Sequence, residues 1–163
     1  MYSIRTANIN DAASICFIAE QTWLAVQVAE AEQQSLQILL DKAYAMDTIS
    51  WRIGTGAAAY LLIAENRADV GFASYSLLSD QPDTYKIHQL YCLPETQGKG
   101  VVKILMDAIV RHITAAGAQR LDIDVYPGKQ TKGFYEKIGF RQQHSGECHQ
   151  LSKKLLFSMC LEF

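Results

Sequence analysis

The stretch QLYCLPETQGKGVVKILMDAI, residues 89–109, decides how the rest of the chain is read. It opens inside an apolar run, YKIHQLYCL (85–93), that reads as a strand ended by Pro94. Gln97-Gly98-Lys99-Gly100-Val101-Val102 then makes a short glycine-bearing loop. Beyond it Val102, Leu105, Met106, Ile109 and Ile113 recur on one side of a helix, with Gly117 placed as its C′ residue. A helix N-terminus exposes about four N–H groups that lack intrahelical partners, and it carries partial positive charge. Gly98 and Gly100 let the backbone curl so that successive amides converge on an anion, which suits a phosphate cradle. Two better-known loops do not fit the letters. The P-loop requires G-x-x-x-x-G-K-[ST], and here Val101-Val102 follow Gly98-Lys99-Gly100. The dinucleotide fingerprint requires G-x-G-x-x-G, and its third position here is Lys103. Taken alone, GKG also fits a helix that merely begins with glycine for packing.

Working outward, Ser3-Ile4-Arg5 suggests a first strand. Asn10-Asp11 offers an N-cap before a helix carrying Ile15, Ile18, Thr22 and Val26. Leu36, Leu39, Leu40, Ala43 and Tyr44 follow the spacing of a second amphipathic helix. AYLLIAE (59–65) and VGFASYSLL (70–78), separated by the polar turn 66–69, predict a hairpin. RLDIDVYP alternates, with Leu121, Ile123 and Val125 on one face and Asp122, Asp124 and Tyr126 on the other. A short helix over 131–138 stops at Gly139. In KKLLFSMCLEF, Leu155, Phe157, Met159 and Leu161 alternate with Leu156, Ser158, Cys160 and Glu162. The order β-α-α-β-β-β-α-β-α-β-β predicts an α+β fold around a mixed sheet.

The chain of 163 residues is long enough for one domain with a sizeable core, and no linker or repeat divides it, so 1–163 reads as a single domain. Hydrophobic residues make up 49% and charged residues 20%, ordinary for a globular chain. A net charge of −2 without a polybasic run suggests neither a nucleic acid nor an anionic membrane as partner. Cys16, Cys92, Cys148 and Cys160 are scattered without a C-x-x-C pair, which argues against a zinc site or a redox motif and fits free, mostly buried thiols in a reducing compartment. Neither a signal peptide nor an apolar membrane span is apparent, so a cytoplasmic location is expected.

LYCLPETQGKGVVKILMDAI followed by GFYEKIGFR (133–141) resembles the GCN5-related N-acetyltransferase (GNAT) superfamily. The first piece is similar to its acetyl-CoA motif, Q/R-x-x-G-x-G/A, at residues 97–102. The second is similar to its closing motif, and the element order resembles that fold over almost the whole chain. The resemblance implies a mixed, mostly antiparallel, twisted sheet of about six to seven strands flanked by about four helices. A V-shaped cleft is expected between the fourth and fifth strands. It implies acetyl-CoA as co-substrate and an amine acceptor, with the pyrophosphate on the amides of Gly98, Lys99, Gly100, Val101, Val102 and Lys103 beside Gln97. It places the acetyl and pantetheine arm along Leu90, Tyr91 and Cys92, and it makes the Cys92 N–H a candidate oxyanion donor.

Tyr135 matches the tyrosine that often protonates the departing thiolate; it also fits the apolar face of a short helix. His88 stands where relatives often carry a glutamate base, and a strand histidine without a role is equally consistent. Two letters depart from the pattern. Val102 replaces glycine or alanine, and Gly128 replaces an asparagine that commonly helps to position CoA. Specificity is expected in residues 20–44, where Thr22, Trp23, Glu30 and Glu32 could receive an amine or, the glutamates above all, form only a solvated helix connection. The implied function is acetyl transfer from acetyl-CoA to a primary amine. A non-catalytic acyl-CoA sensor on the same fold is the rival reading, and exposed edge strands leave a homodimer open.

Overall fold

The sheet begins from a tight hairpin. In the computed structural model, which describes residues 1–25, 30–125, 129–147 and 155–163, strand β2 (Ala59–Glu65) pairs antiparallel with β3 (Ala68–Leu78). The residues between them, Asn66 and Arg67, have φ of 51° and 72°. Two successive left-handed residues give the turn a twist that matches its strands, and Asn66 tolerates that region well. Strand β1 (Tyr2–Thr6) pairs antiparallel on the other edge of β2. Leu61, Leu62 and Ile63 are all buried, so the unbroken apolar run of β2 is covered on both faces.

Strand β4 (Gln81–Cys92), β5 (Arg120–Val125), β6 (Arg141–Glu147) and β7 (Leu155–Glu162) complete a seven-stranded sheet in the order β1-β2-β3-β4-β5-β7-β6. β5 pairs parallel with β4, from Thr84–Arg120 to Ile87–Ile123. β4 then runs on to Cys92, while Asp124 and Val125 of β5 keep their antiparallel partners Ser158 and Phe157 on β7. This is the mostly antiparallel, mixed α+β sheet the sequence implied. In β7, however, Met159 and Cys160 are both fully buried, so the expected alternation gives way where the strand is paired on both edges and covered on both faces.

Five α-helices lie among the described residues: α1 (Ala12–Leu24), α2 (Glu30–Ala43), α3 (Met46–Thr55), α4 (Val101–Ala115) and α5 (Lys129–Lys137). Helix α3 adds to the elements legible in the sequence. Ile49 is its one buried residue, while Trp51 is 63% exposed. Asp11 stands at the N-cap of α1, within the Asn10-Asp11 pair the sequence offered, but makes no side-chain cap bond there; the side-chain cap is at Asn8, ahead of a 3-10 turn, Ile9–Asp11. The Asn8 side chain accepts the Asn10 N–H at 2.9 Å, and the Asp11 carboxylate accepts the Asn8 N–H at 2.8 Å, a capping box. Arg5 donates twice to the same carboxylate, at 2.8 Å each.

The contacts divide the chain into two units. One is Met1–Tyr75 with Gln89–Ile109; its core includes Ile15, Ile18, Ile49, Leu61, Phe72, Leu105 and Ile109. The other is Ser76–His88 with Val110–Phe163; its core includes Ile113, Leu121, Phe140 and Met159. In the second unit α4 ends in a Schellman motif. The Ala118 N–H donates to the Ile113 carbonyl at 2.9 Å and the Gly117 N–H to that of Thr114 at 3.0 Å, with Gly117 at φ 90° as expected of a C′ glycine. Among the described residues, no helix is long and apolar enough to cross a membrane.

Candidate functional site

The loop between β4 and α4 is built by short-range bonds. The Leu93 N–H donates to the Val70 carbonyl at 2.8 Å, which ties the end of β4 to β3. Pro94 then opens a 3-10 turn, Pro94–Thr96, in which the buried Thr96 hydroxyl donates to the Leu93 carbonyl at 2.6 Å. The Lys99 N–H closes back on the Thr96 carbonyl at 3.2 Å. Gly98 and Gly100 follow at φ 77° and 76°. A Cβ at either would meet nothing within 4 Å, so backbone conformation, and not lack of room, calls for glycine there.

From Gly100 the chain enters α4. The bond from the Ile104 N–H to the Gly100 carbonyl, 3.1 Å, starts the helical ladder, so the amides of Val101, Val102 and Lys103 precede it. Gln97, Gly98, Lys99 and Gly100 are exposed and Lys103 pairs with Asp107 at 2.7 Å. Two left-handed glycines ahead of a helix N-terminus form an open backbone concavity suited to an anion. Val101, not Val102, takes the core position: Val101 is buried with Leu105, Met106, Ala108, Ile109 and Ile113, whereas Val102 is half-buried. The helical period explains the correction, since Val101 leads Leu105, Ala108 and Ile109 by four, seven and eight residues.

At the end of β4, Leu90, Tyr91 and Cys92 are half-buried. The Tyr91 ring lies 5.7 Å from Phe72, 5.8 Å from Trp23 and 6.0 Å from Tyr44, centroid to centroid. Trp23, which the sequence offered as an aromatic face for an amine, is buried in this packing. Beside it the buried Ser74 hydroxyl donates to Gln89 Oε1 at 2.8 Å. Burial pushes the Tyr44 phenol up, against hydrogen bonds with Tyr91, Trp23 and Gln89 that pull it down. Of this polar group the sequence signalled nothing, because its members come from four separated segments.

Gly71 carried a signal that could have been read, a glycine inside a strand. A Cβ there would sit 2.9 Å from Cys92 Sγ, 2.9 Å from Ile63 Cγ2 and 3.0 Å from the Tyr91 carbonyl oxygen. The strand backbones approach closely at the residues where the acyl arm is expected. Burial pushes the Cys92 thiol up to about 12, so it is protonated at neutral pH and ill suited to be a nucleophile. Cys16, Cys92 and Cys160 are thiols, not disulfide partners.

In the second unit, His88 is exposed and its Nε2 lies 2.6 Å from the Ser76 hydroxyl. Tyr135 is buried near the end of α5. A second Schellman motif fixes it: its carbonyl accepts the Phe140 N–H at 3.0 Å, Gly139 stands at φ 105°, and its ring packs on Phe140 at 5.6 Å. Gly128 lies outside the described residues, as do Val26, Tyr126, Cys148 and His149, and the side chains of Glu30 and Glu32 are likewise not described. No group of three or more His, Cys, Asp or Glu that could hold a metal ion occurs among the described residues.

The model of the acetyltransferase (GNAT) family matches residues 23–140. The chain is similar in structure to the PaiA N-acetyltransferase of Thermoplasma acidophilum solved with coenzyme A, with a TM-score of 0.81 at 17% identity over 100% of this chain and 99% of that one. It is similar also to the ribosomal-protein-S18-alanine N-acetyltransferase of Escherichia coli, at 0.76 and 14% over 99% and 94%. A third similarity is to YncA of Salmonella typhimurium solved with acetyl-CoA, at 0.75 and 18% over 99% and 93%. At such identities the likeness is one of fold. No curated protein sequence matches the chain.

Proposed function

Because the chain belongs to the acetyltransferase (GNAT) family, we propose that it transfers an acetyl group from acetyl-CoA to a primary amine of a small molecule or peptide, by direct attack in a ternary complex. Residues 1–163 are taken as one domain for this task. The observation that carries the reading is the loop from Gln97 to Lys103, whose left-handed glycines lead without interruption into the N-terminus of α4. That backbone fits a pyrophosphate, with Gly98, Lys99, Gly100, Val101, Val102 and Lys103 holding it through amides and Gln97 beside them. Two of the similar structures were solved with CoA or acetyl-CoA, which supports the assignment.

The rest follows from the chemistry of thioester aminolysis. The co-substrate supplies an activated acyl carbonyl. Leu90, Tyr91 and Cys92 would align its arm, and the Cys92 N–H would stabilise the negative charge that gathers on the carbonyl oxygen. An alkylamine is mostly protonated at pH 7 and must lose a proton before it attacks. His88 is the proposed acceptor of that proton, held by Ser76. Tyr135 is the proposed donor to the departing thiolate, its backbone fixed by the turn at Gly139. Gly128 is the remaining proposed CoA neighbour.

The test is a panel of amines, amino acids and peptide N-termini offered with acetyl-CoA, with CoA thiol release as the readout. Acceptor-dependent thiol release establishes the reaction. Acetyl-CoA binding without release across the panel would instead support the non-catalytic sensor, the reading that the half-buried Val102 favours.

A further inference from the structure

The peptide group that joins Cys92 to Leu93 is held at both edges. Its N–H donates to the Val70 carbonyl at 2.8 Å, and its carbonyl lies 3.2 Å from Thr22 Oγ1, on helix α1. The Thr22 hydroxyl stands 2.7 Å from the Ile18 carbonyl as well, so its single proton is shared between the helix and β4. The preceding peptide, which carries the Cys92 N–H, has its carbonyl pressed toward Gly71, 3.0 Å from where a Cβ would stand. With the following peptide pinned and the preceding one against β3, the direction of the Cys92 N–H is set by neighbours on two elements, β3 and α1.

We propose that Thr22 is a positioning residue for the transfer reaction, orienting the Cys92 N–H through its hydrogen bond to the Cys92 carbonyl. The inference rests on the reading of that N–H as the donor to the thioester carbonyl. An oxyanion donor works because it is already aimed before charge develops, and small misplacements of such groups are costly to turnover. Thr22 touches neither acyl group nor amine in this account. It acts by holding a peptide plane.

The experiment compares Thr22→Val, which keeps the shape and removes the hydroxyl, with Thr22→Ser, which keeps the hydroxyl. Steady-state kinetics, calorimetric binding of CoA and the amide 1H–15N signals of Cys92 and Leu93 are read on the full chain. The expected result for Thr22→Val is a kcat lowered by about 3- to 30-fold, with CoA affinity unchanged and both amide signals shifted. Thr22→Ser is expected to restore kcat and the signals. If Thr22→Val leaves both the signals and kcat unchanged, the proposal is overturned while the role of Cys92 stands. Shifted signals with unchanged kcat would overturn the Cys92 assignment and the proposal with it. A parallel loss of CoA affinity that Ser does not repair would show general damage to the fold and overturn the proposal too.

Discussion

Gly100→Ala isolates what the loop contributes. The substitution keeps every amide, and the added Cβ meets nothing within 4 Å, so no clash accompanies it. What it changes is the cost of φ 76°. An L side chain in the left-handed region costs roughly 1–2 kcal/mol. That cost must appear in one of two places. If the loop keeps its shape, the folded state carries the strain and stability falls by about 1–2 kcal/mol. If the loop relaxes, the amides at the head of α4 disperse, and CoA binding weakens by about 5- to 30-fold, the same energy read as a dissociation constant. Calorimetric titration with CoA, together with denaturant unfolding of the free protein, measures both. Gly100→Asn refines the test. Asn tolerates left-handed backbone better than Ala, so the larger side chain is expected to do less harm. If Gly100→Ala leaves both affinity and stability unchanged, or if Asn is worse than Ala, conformation is not what glycine supplies there.

Tyr135→Phe keeps the ring on Phe140 and is expected to lower kcat by about 10²-fold or more, with CoA affinity little changed; full turnover across pH would remove Tyr135 from the mechanism. Cys92→Ala is expected to retain most of the turnover, because its proposed role is carried by the backbone, and iodoacetamide should label the native thiol slowly at neutral pH. The folded thiol holds its proton more tightly than the unfolded one. Its stabilising contribution is therefore complete below about pH 9 and is lost as pH rises toward about 12, a decline that Cys92→Ala should flatten in alkaline unfolding curves. Asp11 behaves in the opposite sense. The Arg5 side chain, then the Asn8 N–H, hold its carboxyl below the usual value, so its contribution is present above about pH 4 and fades as pH falls. Asp11→Asn is expected to cost about 1 kcal/mol at pH 7 and to shrink that loss on acidification, read from unfolding at several pH values.

Much of the frame was legible in the letters. The hairpin turn at Asn66-Arg67, the C′ glycines Gly117 and Gly139 and the strand–loop–helix around Gly98 and Gly100 are local features. Each follows from a few neighbouring residues whose backbone has few choices, and the structure bears them out. The family resemblance was carried by the same short segments. Helix α3 escaped the reading of the letters; its one buried residue is Ile49. Val101 and Val102 were exchanged because either valine alone satisfies an apolar stripe at helical spacing, and burial in the folded chain separates them.

The sequence by itself therefore determined the order of the elements other than α3, the glycine conformations and the class of fold, since these rest largely on short segments of chain. Tertiary structure alone decided what surrounds the end of β4. Thr22, Tyr44, Gly71, Ser74 and Gln89 come from distant segments, and none forms a motif with another. Their meeting depends on how strands and helices pack after each has formed. A hydroxyl 3.2 Å from the carbonyl of Cys92 is a fact about two elements at once, and no window of sequence contains both.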